Sequence, residues 1–376
     1  MRTVILIFFL LISGQSYAQQ TDRAFKKMLY KNKQLKPILK QAQNYRIQII
    51  FTPIINDKKT KTQYFNYSSD NYFYPASTIK LPAILLALEK VNELKLDRDL
   101  PYSSVSTLQN YSSVYFDTST SIGNYVKKIL LVSNNDSFNR LYDFIGKDSF
   151  NDAMTRKGFL NTALHHRLSI ALSPEENNYT PKVILGDHYT QEAKFAVASS
   201  IEPKFIPLGK AHFKGDSLIN EPMNFGKKNR FDLLDQHQML MDIFQLNHGS
   251  KFNLRPEDLA FIKEYMSKMP RDADYIEDDY PDNYCKFFIL GDSKSRIPEY
   301  LKIFNKIGAA YGFLIDNALI EDRKNDIKFL LSAVIYTNKN ETLNDDTYEY
   351  EKVGFPFLAE LGRHIQQDML KHKLKN

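Results

Sequence analysis

The sequence predicts an α+β fold in two lobes. One is an antiparallel sheet flanked by helices, the other is all-helical, and a cleft lies between them. Three observations lead there: strand patterns sit near both ends of the chain, at residues 45–53, 63–67, 310–320 and 327–337; helical patterns fill the middle; and a helical pattern closes each end. The terminal strands join most simply as one antiparallel sheet, which leaves the middle helices to pack on one another.

The elements follow in order. Residues 22–44 place Phe25, Met28, Leu29, Leu35, Ile38 and Leu39 in a roughly helical rhythm, with Pro37 expected to bend the helix. Residues 45–53 are β-branched and apolar, 56–59 form a turn, and 63–67 return as a second strand. Residues 75–94 are apolar around the whole cylinder, so that helix is expected to be buried on most sides. Helical patterns recur at 122–132, 137–145, 231–245 and 256–269, and the last helix runs over 355–370. Residues 182–228 fit the plan poorly and read as an insertion on the helical lobe, with a strand-like stretch at 204–208 and turns at Gly215-Asp216 and Gly226.

Composition narrows the function. The chain has 376 residues, 43% hydrophobic and 25% charged, with a formal charge of +6. That balance supports a sizeable core and excludes wholesale disorder. A charge this mild does not suggest a nucleic-acid partner, which would need a clustered basic face. Cys285 is the only cysteine, which excludes an intrachain disulfide and a Cys-rich zinc site.

The N-terminus reads as an export signal: Arg2, an apolar run over residues 4–12, then the small-residue site Ser16-Tyr17-Ala18. The run is too short to span hydrocarbon comfortably, and cleavage is expected after Ala18. The mature domain, 19–376, is expected outside the cytoplasm in a bacterial periplasm, with no stable membrane anchor. Its sheet lobe is assigned to 19–72 and 300–376 and its helical lobe to 73–299.

The strongest chemical candidate is Ser77-Thr78-Ile79-Lys80. A three-residue step on a helix puts both side chains on one face. A Ser hydroxyl becomes a nucleophile when a base takes its proton, and a Lys with a lowered pKa can be that base. The first helical turn also offers free N–H groups to a developing oxyanion. The same spacing also fits an N-cap Ser beside a Lys that reaches solvent.

Two further motifs stand in order behind it. Ser133-Asn134-Asn135 lies between two helical segments, and Lys306-Ile307-Gly308 precedes the strand run near Ala310. Ser-x-x-Lys, then Ser-x-Asn, then Lys-x-Gly resembles the pattern of the serine β-lactamases and penicillin-binding proteins. Arg167-Leu168 and Tyr179-Thr180-Pro181 resemble the ends of the class A omega loop. The resemblance covers roughly residues 20–370 and implies the two-lobed β-lactamase-like fold.

By that resemblance Ser77 is the acylated nucleophile and Lys80 its base. Ser133 passes a proton to the leaving nitrogen. Asn135 holds the substrate amide and positions Lys80, while Lys306 adds positive charge near the substrate carboxylate. The oxyanion hole falls to the N–H groups of Ser77 and Ala309, and Gly308 leaves room for substrate along the strand edge.

Departures are equally plain. Asn134 replaces the family's middle Asp, and Ile307 its Thr or Ser. Aligned on Pro174, Ser173 takes the place of the deacylating Glu and Asn177 that of the family's Asn. Glu175 and Glu176 are the nearby carboxylates that a shorter loop could bring in; the alternative is exposed loop carboxylates. Without a water-activating carboxylate, an acyl-enzyme hydrolyses slowly.

The expected function is therefore an exported active-site serine hydrolase, class A β-lactamase-like, acting on β-lactams through an acyl-enzyme on Ser77. The alternatives are a D-alanyl-D-alanine peptidase-like enzyme with slow deacylation, or a non-catalytic binding relative. The expected partner is a small-molecule β-lactam or a peptidoglycan peptide, bound by a monomer. No cofactor or metal is expected: adjacent His165 and His166 cannot chelate one ion as an i, i+4 pair could, and no phosphate-cradling Gly loop is present.

Overall fold

The computed structural model describes residues 19–117, 119–196, 205–247, 249–273 and 280–374. The expected export signal lies outside these, as do parts of the insertion.

Two short helices, α1 (Arg23–Leu29) and α2 (Leu35–Leu39), replace the single bent helix expected over 22–44. The break comes at Asn32, whose Oδ1 accepts from the N–H groups of Gln34 and Leu35. Such a local acceptor competes with the helical ladder. Pro37 sits in the first turn of α2, where its missing N–H costs nothing.

Strand β1 (Gln48–Ile55) follows, and β2 (Lys58–Lys59) and β3 (Gln63–Phe65) both return antiparallel beside it. A 3-10 turn, Ala76–Ile79, leads into α3 (Lys80–Glu93), which is buried around its whole circumference as far as Glu89. Helices α4 (Ile122–Val132), α5 (Asn135–Ile145) and α6 (Lys147–Arg156) pack around it. The sequence pattern missed α6, because only Phe150, Ala153 and Met154 mark its buried face among polar neighbours. After β4 (Ala211–Lys214) come α7 (Leu233–Ile243) and α8 (Pro256–Ser267).

The chain then returns to the sheet with β5 (Leu301–Asn305), β6 (Gly308–Ala310), β7 (Phe313–Asp322) and β8 (Ile327–Tyr336). A short β9 (Thr342–Leu343) and the long α9 (Phe355–Lys373) end the fold. The seven-stranded sheet runs β5–β7–β8–β1–β2, with β6 also on β7 and β3 also on β1. All its pairings are antiparallel.

Side chains alternate across this sheet with period two. Leu319 and Leu330, opposite one another, join the core built on α3 to α6. Their neighbours Ala318 and Leu331 join the core beneath α1, α2 and α9. The sheet thus separates two apolar cores, and its edge β5–β6 runs past the N-terminal end of α3.

The insertion does not stay on the helical lobe as expected. Lys182–Leu185 pairs there with Tyr102–Val105. β4, however, pairs in parallel with β9, Ala211 opposite Thr342 and His212 opposite Leu343. Gly209 permits this approach: its φ is +72°, and a Cβ there would lie 2.7 Å from the Glu341 carbonyl. Among the described residues, no helix is long and apolar enough to cross a membrane.

Candidate active site

The turn Ala76–Ile79 presents Ser77, and the next residue along, Lys80, opens α3. In a 3-10 turn residues three apart eclipse, so Ser77 and Lys80 stack on one side. As second residue of the turn, Ser77 has an N–H without an intrahelical acceptor. Its side chain is half-buried and lines a cavity of about 510 Å³. Lys80 is fully buried behind it.

The second motif reverses the chain in two residues. Ser133 ends α4 in the left-handed region, φ 56°, and Asn134 begins α5 as its N-cap, with Oδ1 accepting from Ser137 N–H at 2.8 Å. Asn caps as well as Asp, which accounts for the tolerated departure at 134. The tight reversal aims both Ser133 and Asn135 at Lys80. The Lys80 amine donates to Asn135 Oδ1 at 2.6 Å, to Ser133 Oγ at 3.2 Å and to the Ser133 carbonyl.

The third motif lies on the sheet edge. β5 and β6 keep one register on β7, Asn305 opposite Ala318 and Gly308 opposite Ile315. Lys306 between them donates to Ser133 Oγ at 2.9 Å and to the Ile307 carbonyl at 3.0 Å. The Ser133 hydroxyl therefore sits between two amines. Burial first, and then the Lys306 charge, pushes the Lys80 amine well below the usual lysine range. Burial likewise lowers Lys306 to about 7, partly offset by Cys285 and Asp316.

Buried Asp316 lies behind Lys306 and accepts from the N–H groups of Phe287 and Phe288 and from Asn305 Nδ2. Asn305 Oδ1 in turn accepts from buried Lys286 at 2.7 Å. Ile307 turns away from the cleft into the core with α9, so the hydroxyl the family carries here is replaced by packing.

Gly308 has a use the sequence did not reveal. A Cβ there would lie 2.6 Å from the Pro75 carbonyl and 3.2 Å from Ala76 Cβ. The missing side chain lets the sheet edge close on the Ser77 turn; it does not simply leave room for substrate. Ala309, exposed, lines the cavity.

The loop between Arg167 and Tyr179 closes as the sequence suggested. Arg167 Nη2 reaches the Tyr179 carbonyl at 2.7 Å and Asp143 Oδ1 at 2.7 Å, and neither member of this ion pair is exposed. Asn177 Oδ1 accepts from Arg167 N–H at 2.9 Å, folding the loop back on itself.

Within that loop the sequence alignment needs correction. Ser169, not Ser173, faces the site: its Oγ accepts from Asn135 Nδ2 at 2.7 Å and it lines the cavity with Ser77. Ser173 and Glu176 form a reciprocal cap, Glu176 Oε2 accepting from Ser173 N–H at 2.6 Å and Ser173 Oγ from Glu176 N–H at 3.1 Å. Glu175 is exposed, and neither glutamate lines the cavity. Sequence reasoning also missed Tyr74, Tyr311 and Asp346, which do line it.

Comparisons with known proteins place the fold. No curated protein sequence matches the chain. Among solved structures, a point mutant of PBP-A, described as an acyl-enzyme complex with penicillin G, aligns at a TM-score of 0.54 and 13% identity, over 92% of this chain and 97% of the other. A β-lactamase from Burkholderia vietnamiensis aligns at 0.54 and 11% identity, over 92% and 96%. One from Burkholderia ambifaria gives 0.52 and 13%, over 89% and 97%. Likenesses this distant establish the fold. The profile of the β-lactamase enzyme family matches residues 31–353, so the chain, two-lobed and carrying three ordered motifs around one cleft, belongs to the β-lactamase enzyme family.

Proposed function

We propose that the protein is an exported active-site serine enzyme that β-lactams acylate at Ser77 and that releases the acyl group slowly. The native acyl donor on this reading is a peptidoglycan peptide. The observation that carries it is the Lys80 amine, buried, lowered in pKa and held one turn from a half-exposed serine.

Neutral Lys80 takes the Ser77 proton as Oγ attacks the carbonyl carbon. The N–H groups of Ser77 and Ala309 receive the oxyanion. The carbon–nitrogen bond then breaks, and the Ser133 hydroxyl relays a proton from Lys80 to the leaving nitrogen. Lys306 holds the substrate carboxylate. Water must finally hydrolyse the ester, and here the site departs from an efficient β-lactamase. Glu176 is committed to Ser173, and the residue facing Asn135 is a serine. Penicillin-binding behaviour is favoured over rapid hydrolysis for that reason. The neighbour described as a penicillin G acyl-enzyme fits the same reading.

Incubation with a fluorescent penicillin, followed by intact-mass measurement, tests it. A persistent adduct carrying the whole penicillin mass is expected, absent in Ser77→Ala. Labelling that survives Ser77→Ala refutes the nucleophile. Rapid labelling and release restores the β-lactamase reading, and no adduct with any acyl donor supports a binding relative. Export predicts a mature N-terminus at Gln19, read by sequencing the secreted protein.

A further inference from the structure

The cavity in front of Ser77 has a second wall that the three motifs do not account for. It comes from the segment between β8 and α9, from the turn joining β6 to β7, and from Tyr74 just ahead of the Ser77 turn. Tyr74, Tyr311, Asn344, Asp346, Tyr348 and Tyr350 line it.

This wall is built and held. The Tyr350 hydroxyl accepts from Gly312 N–H and the Tyr348 hydroxyl from Asn344 N–H, both at 2.9 Å. Their rings lie 5.3 Å apart, and Tyr74 meets Tyr311 edge-on at 5.1 Å. The insertion braces the segment from outside through the parallel β4–β9 pairing. Lys210 N–H also donates to the Glu341 carbonyl at 2.7 Å and Asn344 Nδ2 to the Phe213 carbonyl at 3.0 Å. An insertion with no obvious purpose in the sequence thus acts as a buttress for one side of the site.

Charge distinguishes this wall from the rest of the cleft. Three acidic side chains on the segment are engaged locally. Glu341 pairs with Lys210, Asp345 accepts from Asn340 Nδ2 and Thr347 N–H, and Glu349 accepts from Lys339 N–H. Asp346 lines the cavity and has no hydrogen bond or ion pair among the described residues. Lys228 already places its amine 5.7 Å from the Tyr311 ring, without pairing to Asp346. An exposed carboxylate that shares a small-molecule-sized cavity with four tyrosines suits a cation. The amines of Lys80 and Lys306 meet instead at the Ser133 hydroxyl, and neither lysine belongs to this wall.

We propose that Asp346 and the surrounding tyrosines form a subsite for an ammonium group on the acyl donor, so that the cleft selects a zwitterion with its carboxylate toward Lys306. The proposal rests on the reading that Ser77 is the acylated nucleophile.

The test uses three penicillins that share one nucleus: aminobenzyl, benzyl and carboxybenzyl, with cationic, neutral and anionic side chains at pH 6.5. Their affinities for the full mature chain carrying Ser77→Ala are measured by calorimetry, which needs no acylation. The aminobenzyl compound should bind about fivefold more tightly than the benzyl compound, the scale of a partly screened charge pair. Asp346→Asn should erase that difference, and Asp346→Lys should transfer the preference to the carboxybenzyl compound. Equal affinities, no binding of the aminobenzyl compound, or a preference that survives Asp346→Asn would overturn the subsite. Intact-mass labelling of the unmutated chain runs alongside. A charge preference without labelling would sink the nucleophile and keep the subsite; labelling without preference does the reverse.

Discussion

Asn135 and Ser169 are joined across the floor of the cleft by a 2.7 Å hydrogen bond, Asn135 Nδ2 donating to Ser169 Oγ. The other end of the same amide holds Lys80 at 2.6 Å. One asparagine therefore ties the proposed acylation base to the loop from which, on that proposal, a deacylating group would come. The residue that meets Asn135 from that loop is a serine, whose hydroxyl is too weak a base to activate water.

Ser169→Glu should therefore shorten the lifetime of the acyl-enzyme. A positioned general base contributes about 100-fold or more, and an unoptimised one on a left-handed backbone (φ 53° at Ser169) should still give about tenfold. Intact-mass spectra over time after penicillin removal give the half-life. An unchanged half-life with normal acylation would show that water activation fails for another reason.

The pH dependence of acylation follows from the two amines. Lysine is cationic below its pKa and neutral above it. On the proposed mechanism Lys80, lowered by burial and by Lys306, supplies the neutral base as pH rises. Lys306, lowered to about 7, loses the charge that attracts the carboxylate as pH rises through that value. A bell-shaped profile of the second-order acylation rate is expected, its alkaline limb starting near 7. Lys306→Arg keeps the cation at every pH used and should remove that limb. If the limb stays in place, Lys306 is not its source.

Gly308→Ala tests the approach of the sheet edge to the Ser77 turn. With Pro75 carbonyl oxygen 2.6 Å from the new Cβ, backbone rather than a flexible side chain must give way. Acylation should fall at least about tenfold, because a misplacement on the order of 1 Å can cost 100-fold. The melting temperature should fall by a few degrees only. Full acylation of the Gly308→Ala variant would mean that the close packing is not needed for the chemistry.

The residues proposed as the acylation centre were legible because their signal is local. Ser77 and Lys80 share one turn, Ser133 and Asn135 one reversal, and Lys306 and Gly308 one strand edge. Alternation and helical rhythm likewise gave the sheet and most helices. What escaped was decided by contacts between distant segments. Nothing near Asp346 announces that β4 will pair with β9 and place it against the cavity. Glu176 reads as a free carboxylate until Ser173 is seen to cap with it. The break at Asn32 depended on one side chain's choice between solvent and two N–H groups.

Acid should weaken the fold in a way that His237 can report. This ring is fully buried between α7 and the sheet, its two nitrogens 2.8 Å from Thr52 Oγ1 and Ser332 Oγ. Burial, with a smaller push from Lys59, lowers its pKa to about 3 from the ordinary 6.5. Between those values the unfolded chain binds a proton that the folded chain does not. The His237 contribution is therefore complete above about 6.5 and declines as pH falls, by about 1.4 kcal/mol per pH unit, down to about 3. Asp235, two residues away on α7, acts with opposite sign. Burial and Asp232 raise it to about 7, so the folded chain is the one that binds protons as pH falls through that range. The two partly cancel in the wild-type curve, and the informative quantity is a difference. Denaturant unfolding of the wild type and His237→Gln at pH 4.5, 5.5 and 6.5 should give stabilities that converge toward acid, since only the wild type loses the histidine term. Parallel curves would mean that His237 takes up its proton in the folded state without penalty.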